Sequence, residues 1–251
     1  MIRLIRAEFL KLRTTQVWFW LLLAAVAISM LFVIAPLASN GIKTGSDVAE
    51  MFNGSGLAYL VLFVLGVLGV TTEFRYQTIT PTLLQTPSRW SLVGAKMISY
   101  ALLGIGYAVS CVGIQLAIAL PWLSAKNIHF SWSGDHVTRV LVGVFVILVL
   151  YGIVGLGIGA LLRNQIVAVV VGVIFLAALQ NIFVIIPGVK HVYPFLPGGA
   201  NNALLAVKTS DHRINGVHLL PPAGAVVVLL LWAFIPAVLG ALGLEAPDAP
   251  A

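Results

Sequence analysis

The chain has one cysteine in 251 residues, Cys111, so neither an intrachain disulfide nor a cysteine-based metal cluster is open to it. Charge is scarce as well: Asp, Glu, Lys and Arg make up 9% of the sequence, where a soluble domain carries about a quarter. No GxxxxGK[ST] phosphate loop occurs, which excludes ATP hydrolysis by that route. There is no GxSxG nucleophile elbow. The histidines, at 129, 136, 191, 212 and 218, form neither an HExxH pair nor an i, i+4 pair, so no metal site is expected. Ser133, Asp135 and His136 have the residue types of a hydrolytic triad, but so close in sequence they cannot take up triad geometry. They read as an interfacial turn. No Asp, Glu, Lys, Arg or His falls in the middle of an apolar run, so a proton relay through hydrocarbon lacks the groups it usually needs.

What the chain does have is hydrocarbon. Hydrophobic residues make up 60% of it and the mean hydropathy is +1.06. Apolar runs at 17–37, 57–72, 97–120, 140–162, 166–186 and 222–244 are read as six transmembrane helices. The first spans about 31 Å at 1.5 Å per residue. It is too long for a signal-peptide core. The expected fold is an all-α polytopic membrane protein, with 1–251 forming one transmembrane domain. Gly66 and Gly69 in the second run permit close helix contact. In the fourth, Gly152, Gly155 and Gly159 form a small-residue face for helix packing. Pro121 and Trp122 are expected to end the third helix. Residues 163–165 make a tight turn, 187–221 a long external loop with a short helix near 200–207, and Pro236 a kink in the last span.

Residues 1–15 place Ile2, Ile5, Phe9 and Leu12 at helical spacing, with Arg3, Arg6, Lys11 and Arg13 as snorkelling cations. This predicts an amphipathic interface helix in the headgroup region. The basic excess, 14 Lys and Arg against 8 Asp and Glu, sits at membrane edges, which fits anionic headgroups better than nucleic acid. Arg3, Arg6, Lys11 and Arg13, with Arg75, Arg89 and Lys96 on the next loop of the same side, oppose Lys43 alone on the first loop of the other. The expected topology therefore puts both termini in the cytoplasm of a cell that holds the chain in its plasma membrane.

The longest polar interruption of the first half is 73–96, EFRYQTITPTLLQTPSRWSLVGAK. Thr80-Pro81 and Thr86-Pro87 each read as an N-cap followed by proline at the first helical position. A loop of this kind forms a short-helical knob held against the membrane, suited to contact with another protein. A bundle with so few polar groups needs an outside energy source to transport anything.

This run resembles the stretch after the second span in permease subunits of ABC transporters of the ABC-2 type. The matching positions are Glu73, Phe74, Arg75, Thr78, Ile79, Leu83, Leu84, Pro87, Arg89 and Lys96. Gln77 departs from the glycine common before the threonine. RAEFLKLRTT is similar to the family's interface helix, 159–164 to its turn between spans four and five, and PFLPGGANNALL to its external segment. The tail EAPDAPA departs from the basic cluster that ends many relatives.

The resemblance implies a non-enzymatic transport subunit without cofactors of its own, ATP being bound by a partner. The partners would be an ABC ATP-binding subunit, a second permease chain in a homo- or heterodimer, and the bilayer. Transport would run in the export direction. Residues 73–85 would form a cytoplasmic coupling helix, with Glu73, Arg75 and Arg89 making polar contacts and Ile79, Leu83 and Leu84 the buried ones. Phe74 and Thr78 belong to the same motif. The rival classes are a non-transporting membrane scaffold or accessory, and a self-contained carrier or channel.

Overall fold

Backbone groups in hydrocarbon must find partners within their own segment, and helices do this without a second chain segment. The computed structural model, which describes residues 2–39, 41–77, 89–186, 189–205, 213–214 and 216–243, is built almost wholly of them. In chain order they are α1 (Ile2–Thr14), α2 (Val17–Ala38), α3 (Gly45–Gly54), α4 (Tyr59–Arg75), α5 (Arg89–Ala125), α6 (Val137–Leu162), α7 (Gln165–Ile182), α8 (Pro197–Leu205) and α9 (Pro222–Gly243). Six helical segments are long and apolar enough to cross a membrane: α2, α4 with α3 leading into it, α5, α6, α7 and α9. The chain is an all-α polytopic membrane protein. A two-residue antiparallel ribbon, Arg213–Ile214 with Val217–His218, precedes α9.

The core is organised around α6, against which α4, α5 and α9 all pack. Its Ile147, Leu148, Tyr151 and Leu156 are fully enclosed. Two glycines set the α4–α6 approach. A Cβ on Gly66 would fall inside the van der Waals radius of the Gly152 carbonyl, and one on Gly155 would do the same to the Phe63 carbonyl. A Cβ on Gly159 would stand 3.0 Å from the Val67 carbonyl oxygen. Gly152 meets the seam through its carbonyl; a Cβ there would have ordinary room. In contrast, α2 and α7 are the least buried spans, turning Leu23, Leu31, Val170 and Ile174 outward.

Four expectations need correction. First, the polar stretch after the first span is partly helical: Asp47 in the first turn of α3 reaches back to accept the backbone N–H groups of Lys43 and Thr44 at 2.9 and 2.8 Å, as the acidic member of a capping box does. Second, α5 runs through Pro121 and stops at Ala125, where Asn127 takes a left-handed φ of 53°. Proline removes one donor, a small loss at a membrane edge where water reaches the freed carbonyl. Third, the expected loop 73–96 is helical at both ends, because Glu73–Arg75 complete α4 and 89–96 open α5. Fourth, α7 ends at Ile182, before 186, after a π-helical stretch at Phe175–Leu179.

Candidate functional site

Only two residues separate α1 from α2, so α1 must lie against the end of the bundle where α2 enters the membrane. It packs across the start of α5. Leu12 joins the core there, and Glu8, one turn earlier on the same side, is 5% exposed. Into the same place come Glu73 from the last turn of α4, 5% exposed, and Lys96 from the second turn of α5, 4% exposed.

These groups form one ion cluster. Lys96 Nζ donates to Glu73 Oε1 at 2.6 Å and to Glu8 Oε2 at 3.0 Å. Lys11 Nζ, half exposed, donates to Glu73 Oε1 at 2.7 Å and to Glu8 Oε1 at 3.2 Å. Two carboxylates and two ammonium groups therefore close a neutral ring across α1, α4 and α5. Burial alone would lower the Lys11 pKa. The hydrogen bond and charge of Glu73, with those of Glu8, outweigh it, and the net shift is upward. Such a ring is weak support for net stability, since desolvation offsets most of the attraction. Losing one member is costly, because it leaves a buried charge uncompensated.

The neighbouring residues of the motif sit on the same end. Arg75 donates to Gln165 Oε1 at 3.3 Å, and the Arg163 guanidinium lies 5.9 Å from the centre of the Phe74 ring. Arg163 closes α6 with a left-handed φ of 53°, its N–H reaching the Gly159 carbonyl at 3.0 Å. Asn164 then caps α7 by accepting the Val167 N–H at 3.1 Å. One end of the bundle thus brings together α1, the exit of α4, the start of α5 and the α6–α7 turn. Gln77 and Arg89, between which the chain continues outside the described residues, lie at this same end.

A family model described as ABC-2 family transporter protein matches residues 4–186. The chain belongs to the ABC-2 transporter family. No curated protein and no solved structure matches it. The match takes in α1 through α7 and hence every member of the ion cluster. Membership makes this a membrane permease of an ABC transporter, a type that works with an ABC ATP-binding subunit.

The site residues named from the permease motif fall into three groups. Glu73, Phe74 and Arg75 are brought together at the loop-bearing end, with Glu73 turned into the bundle. Thr78, Ile79, Leu83 and Leu84 lie outside the described residues, as does the side chain of Arg89, whose backbone opens α5. Gly152, Gly155 and Gly159 lie along the α4–α6 seam, away from this end.

Glu8 is the member that sequence reasoning missed. The available signal was its being the one acidic residue in an otherwise basic helix. Also missed were Gln115 in α5 and Ser29 in α2. Both are fully buried, and their side-chain polar atoms have no hydrogen-bond partner among the described residues.

At the far end of the permease the polar groups serve structure. The Asp135 carboxylate accepts the Ser131 N–H at 2.6 Å, which closes the turn before α6. Gln180, next to the π-helical stretch, donates to the Leu176 carbonyl and accepts the Gly198 N–H at 2.7 Å. Tyr59 donates to that same Leu176 carbonyl at 3.2 Å. Asn201 donates to the Tyr151 hydroxyl at 2.8 Å. These bonds hold α8 into the bundle between α6, α7 and α9.

Proposed function

We propose that this permease is the membrane-spanning half of an ATP-driven exporter in the cell membrane, with both termini in the cytoplasm. A separate ATP-binding subunit docks on the end that carries the ion cluster. The observation that carries this reading is the ring of Glu8, Lys11, Glu73 and Lys96. It ties α1 to both helices that flank residues 78–88, so a push on that connection reaches three elements at once. The segment 73–85 is the coupling element, with Ile79, Leu83 and Leu84 as its apolar part. Arg75 and Arg89 provide polar contacts at its rim. Glu73 acts from inside, holding the base of the coupling helix to α1.

A second permease chain completes the translocation path. The apolar outward faces of α2 and α7 support an arrangement in which it packs beside them. The absence from the sequence of a phosphate loop, and of Asp, Glu, Lys, Arg or His midway along the spans, supports an energy source outside this chain.

The test is reconstitution in vesicles. The purified permease alone is expected to show neither ATP hydrolysis nor transport under a proton gradient, and to gain ATP hydrolysis when co-expressed and purified with an ABC ATP-binding subunit. Robust transport by this chain alone under a proton gradient would overturn the proposal.

A further inference from the structure

The turn that holds Ser133, Asp135 and His136 forms the mouth of a cleft. Asp135 closes that turn, and the N–H and the hydroxyl of Thr138 both donate to the Trp132 carbonyl, at 3.0 and 3.1 Å. The Trp132 indole, edge-on to Phe130 with 5.0 Å between ring centres, is thereby held beside a space of about 540 Å³ between α6, α8 and α9. Sites for small molecules occupy roughly 300–1,000 Å³. One wall is closed by direct contact: a Cβ on Gly143 would stand 2.9 Å from the Leu204 carbonyl oxygen, so α8 lies against α6 there.

The two ends of the cleft differ in chemistry. At one end stand Trp132, Ser133, His136 and Arg139, from the turn and the start of α6. At the other stand Val142 and Val146, one and two turns further along α6, with Leu204 of α8 and Val226 of α9. The helix rises about 15 Å from His136 to Val146. Among the described residues, Arg139 is the one lining residue with a permanent charge. Its Nη2 donates to the Ala203 carbonyl at 3.4 Å, which fixes the guanidinium at the polar end. Asp135, its nearest acidic neighbour in sequence, is turned elsewhere. That carboxylate accepts the Ser131 N–H at 2.6 Å and lies where a Cβ on Gly45 would fall.

We infer that this cleft binds a single-chain amphiphile with an anionic head. The head lies at Arg139 and His136, and the chain runs along Val142, Val146 and Val226. A guanidinium matches the planar carboxylate of such a head better than an ammonium would. A cationic amphiphile would meet like charge at Arg139. A wholly apolar molecule would make no use of the polar end, and a two-chain phospholipid is too large for the space. The cleft shares no residue with the ion cluster and lies at the opposite end of the bundle. Binding here is therefore independent of where an ATP-binding subunit docks.

The experiment uses the full chain in nanodiscs of phosphatidylcholine, photolabelled with a diazirine analogue of dodecanoic acid at pH 8, where the carboxyl group is ionised. Proteolysis and mass spectrometry then locate the label. It is expected at the start of α6 and the start of α9, and unlabelled dodecanoic acid should displace it. Dodecanol and dodecylamine should compete about tenfold more weakly or worse, the factor that a hydrogen bond to a charged group supplies. Val146→Trp fills the apolar end, leaves Arg139 in place and should abolish labelling. Arg139→Gln should weaken labelling about tenfold, whereas Arg139→Lys, which keeps the charge, should retain most of it. The competition on wild type involves no substitution, so it decides even where a variant fails to fold. Label spread evenly over the spans would overturn the inference, as would dodecanol or dodecylamine competing as well as the acid. Labelling unchanged in a folded Val146→Trp or Arg139→Gln permease would also overturn it. Equal displacement by phosphatidylglycerol would assign the cleft to bulk lipid and overturn it as well. Each of these results can fail while the exporter reading stands.

Discussion

The ammonium group of Lys96 stands 2.6 Å from the carboxylate of Glu73, joining the last turn of α4 to the second turn of α5 across the segment that connects them. Both residues are almost fully buried. Residues 78–88 are therefore tethered at their base by a direct ion pair, and Glu8 and Lys11 extend that tether to the interface helix.

Lys96→Met is expected to destabilise the permease by about 3–5 kcal/mol, because Glu8 and Glu73 would then share only the half-exposed Lys11. Adding Glu73→Leu to Lys96→Met should recover part of the loss, since an apolar pair carries no desolvation cost. Thermal melting in detergent checks both. A double variant less stable than the sum of the two single changes would show that the ring contributes more than compensation of charge.

Lys11 sets the sign of one pH effect. Its pKa is raised above the ordinary lysine value of 10.5. The stability it contributes is thus fully present below about that pH and is lost as pH rises through the higher folded value. The difference in melting temperature between wild type and Lys11→Gln should be the same at pH 7 and pH 9, and should shrink toward pH 11. A difference that grew with pH would contradict the pairing.

Much of the architecture was legible because a bilayer imposes a length on apolar runs, and the motif from Glu73 to Lys96 carried the family. The pairing of Glu8 with Lys96 was not legible. It joins residues 88 positions apart, and nothing local to either one signals the other. The sequence groups Ile2, Ile5, Phe9 and Leu12 on one apolar face of α1, and in the structure the bundle covers Ile5 and Leu12 while Ile2 and Phe9 stay exposed. Pro121 was read as a stop, though a helix near the membrane edge tolerates the missing donor. The polar run after the first span was read as loop, and Asp47 instead starts a helix there. Gln115 escaped notice because one amide in an apolar run barely changes hydropathy.

Two sets of glycines should respond in opposite ways to alanine. Gly66→Ala and Gly155→Ala drive a methyl group into a carbonyl of the facing helix and should cost at least about 1–3 kcal/mol through overpacking. Gly106→Ala and Gly113→Ala meet open space and should be neutral or stabilising, by up to about 1 kcal/mol. Size-exclusion profiles and melting curves in detergent distinguish the sets. Equal tolerance at all four positions would rule out the close α4–α6 approach.

Gln115 is fully buried, and neither amide atom has a partner among the described residues. An unsatisfied polar group of this kind carries a penalty of about 1–3 kcal/mol. Gln115→Leu, similar in size, should therefore raise the melting temperature. A lower one would mean that the amide has a bonding partner in the folded protein.

The central claim is that the segment following Gln77 is where the ATP-binding subunit docks. Its most direct test is co-purification of that subunit with the Leu83→Asp, Leu84→Asp permease. Burial of two leucines is worth about 1.5–3 kcal/mol each, and roughly 3 kcal/mol is already about a hundredfold in affinity. The variant should reach the membrane at wild-type levels, since no span is altered, yet fail to retain the ATP-binding subunit; Arg89→Ala should retain most of it, as a rim charge is worth less than a buried anchor. A double-aspartate permease that reaches the membrane normally and still holds the ATP-binding subunit at wild-type levels would contradict the account.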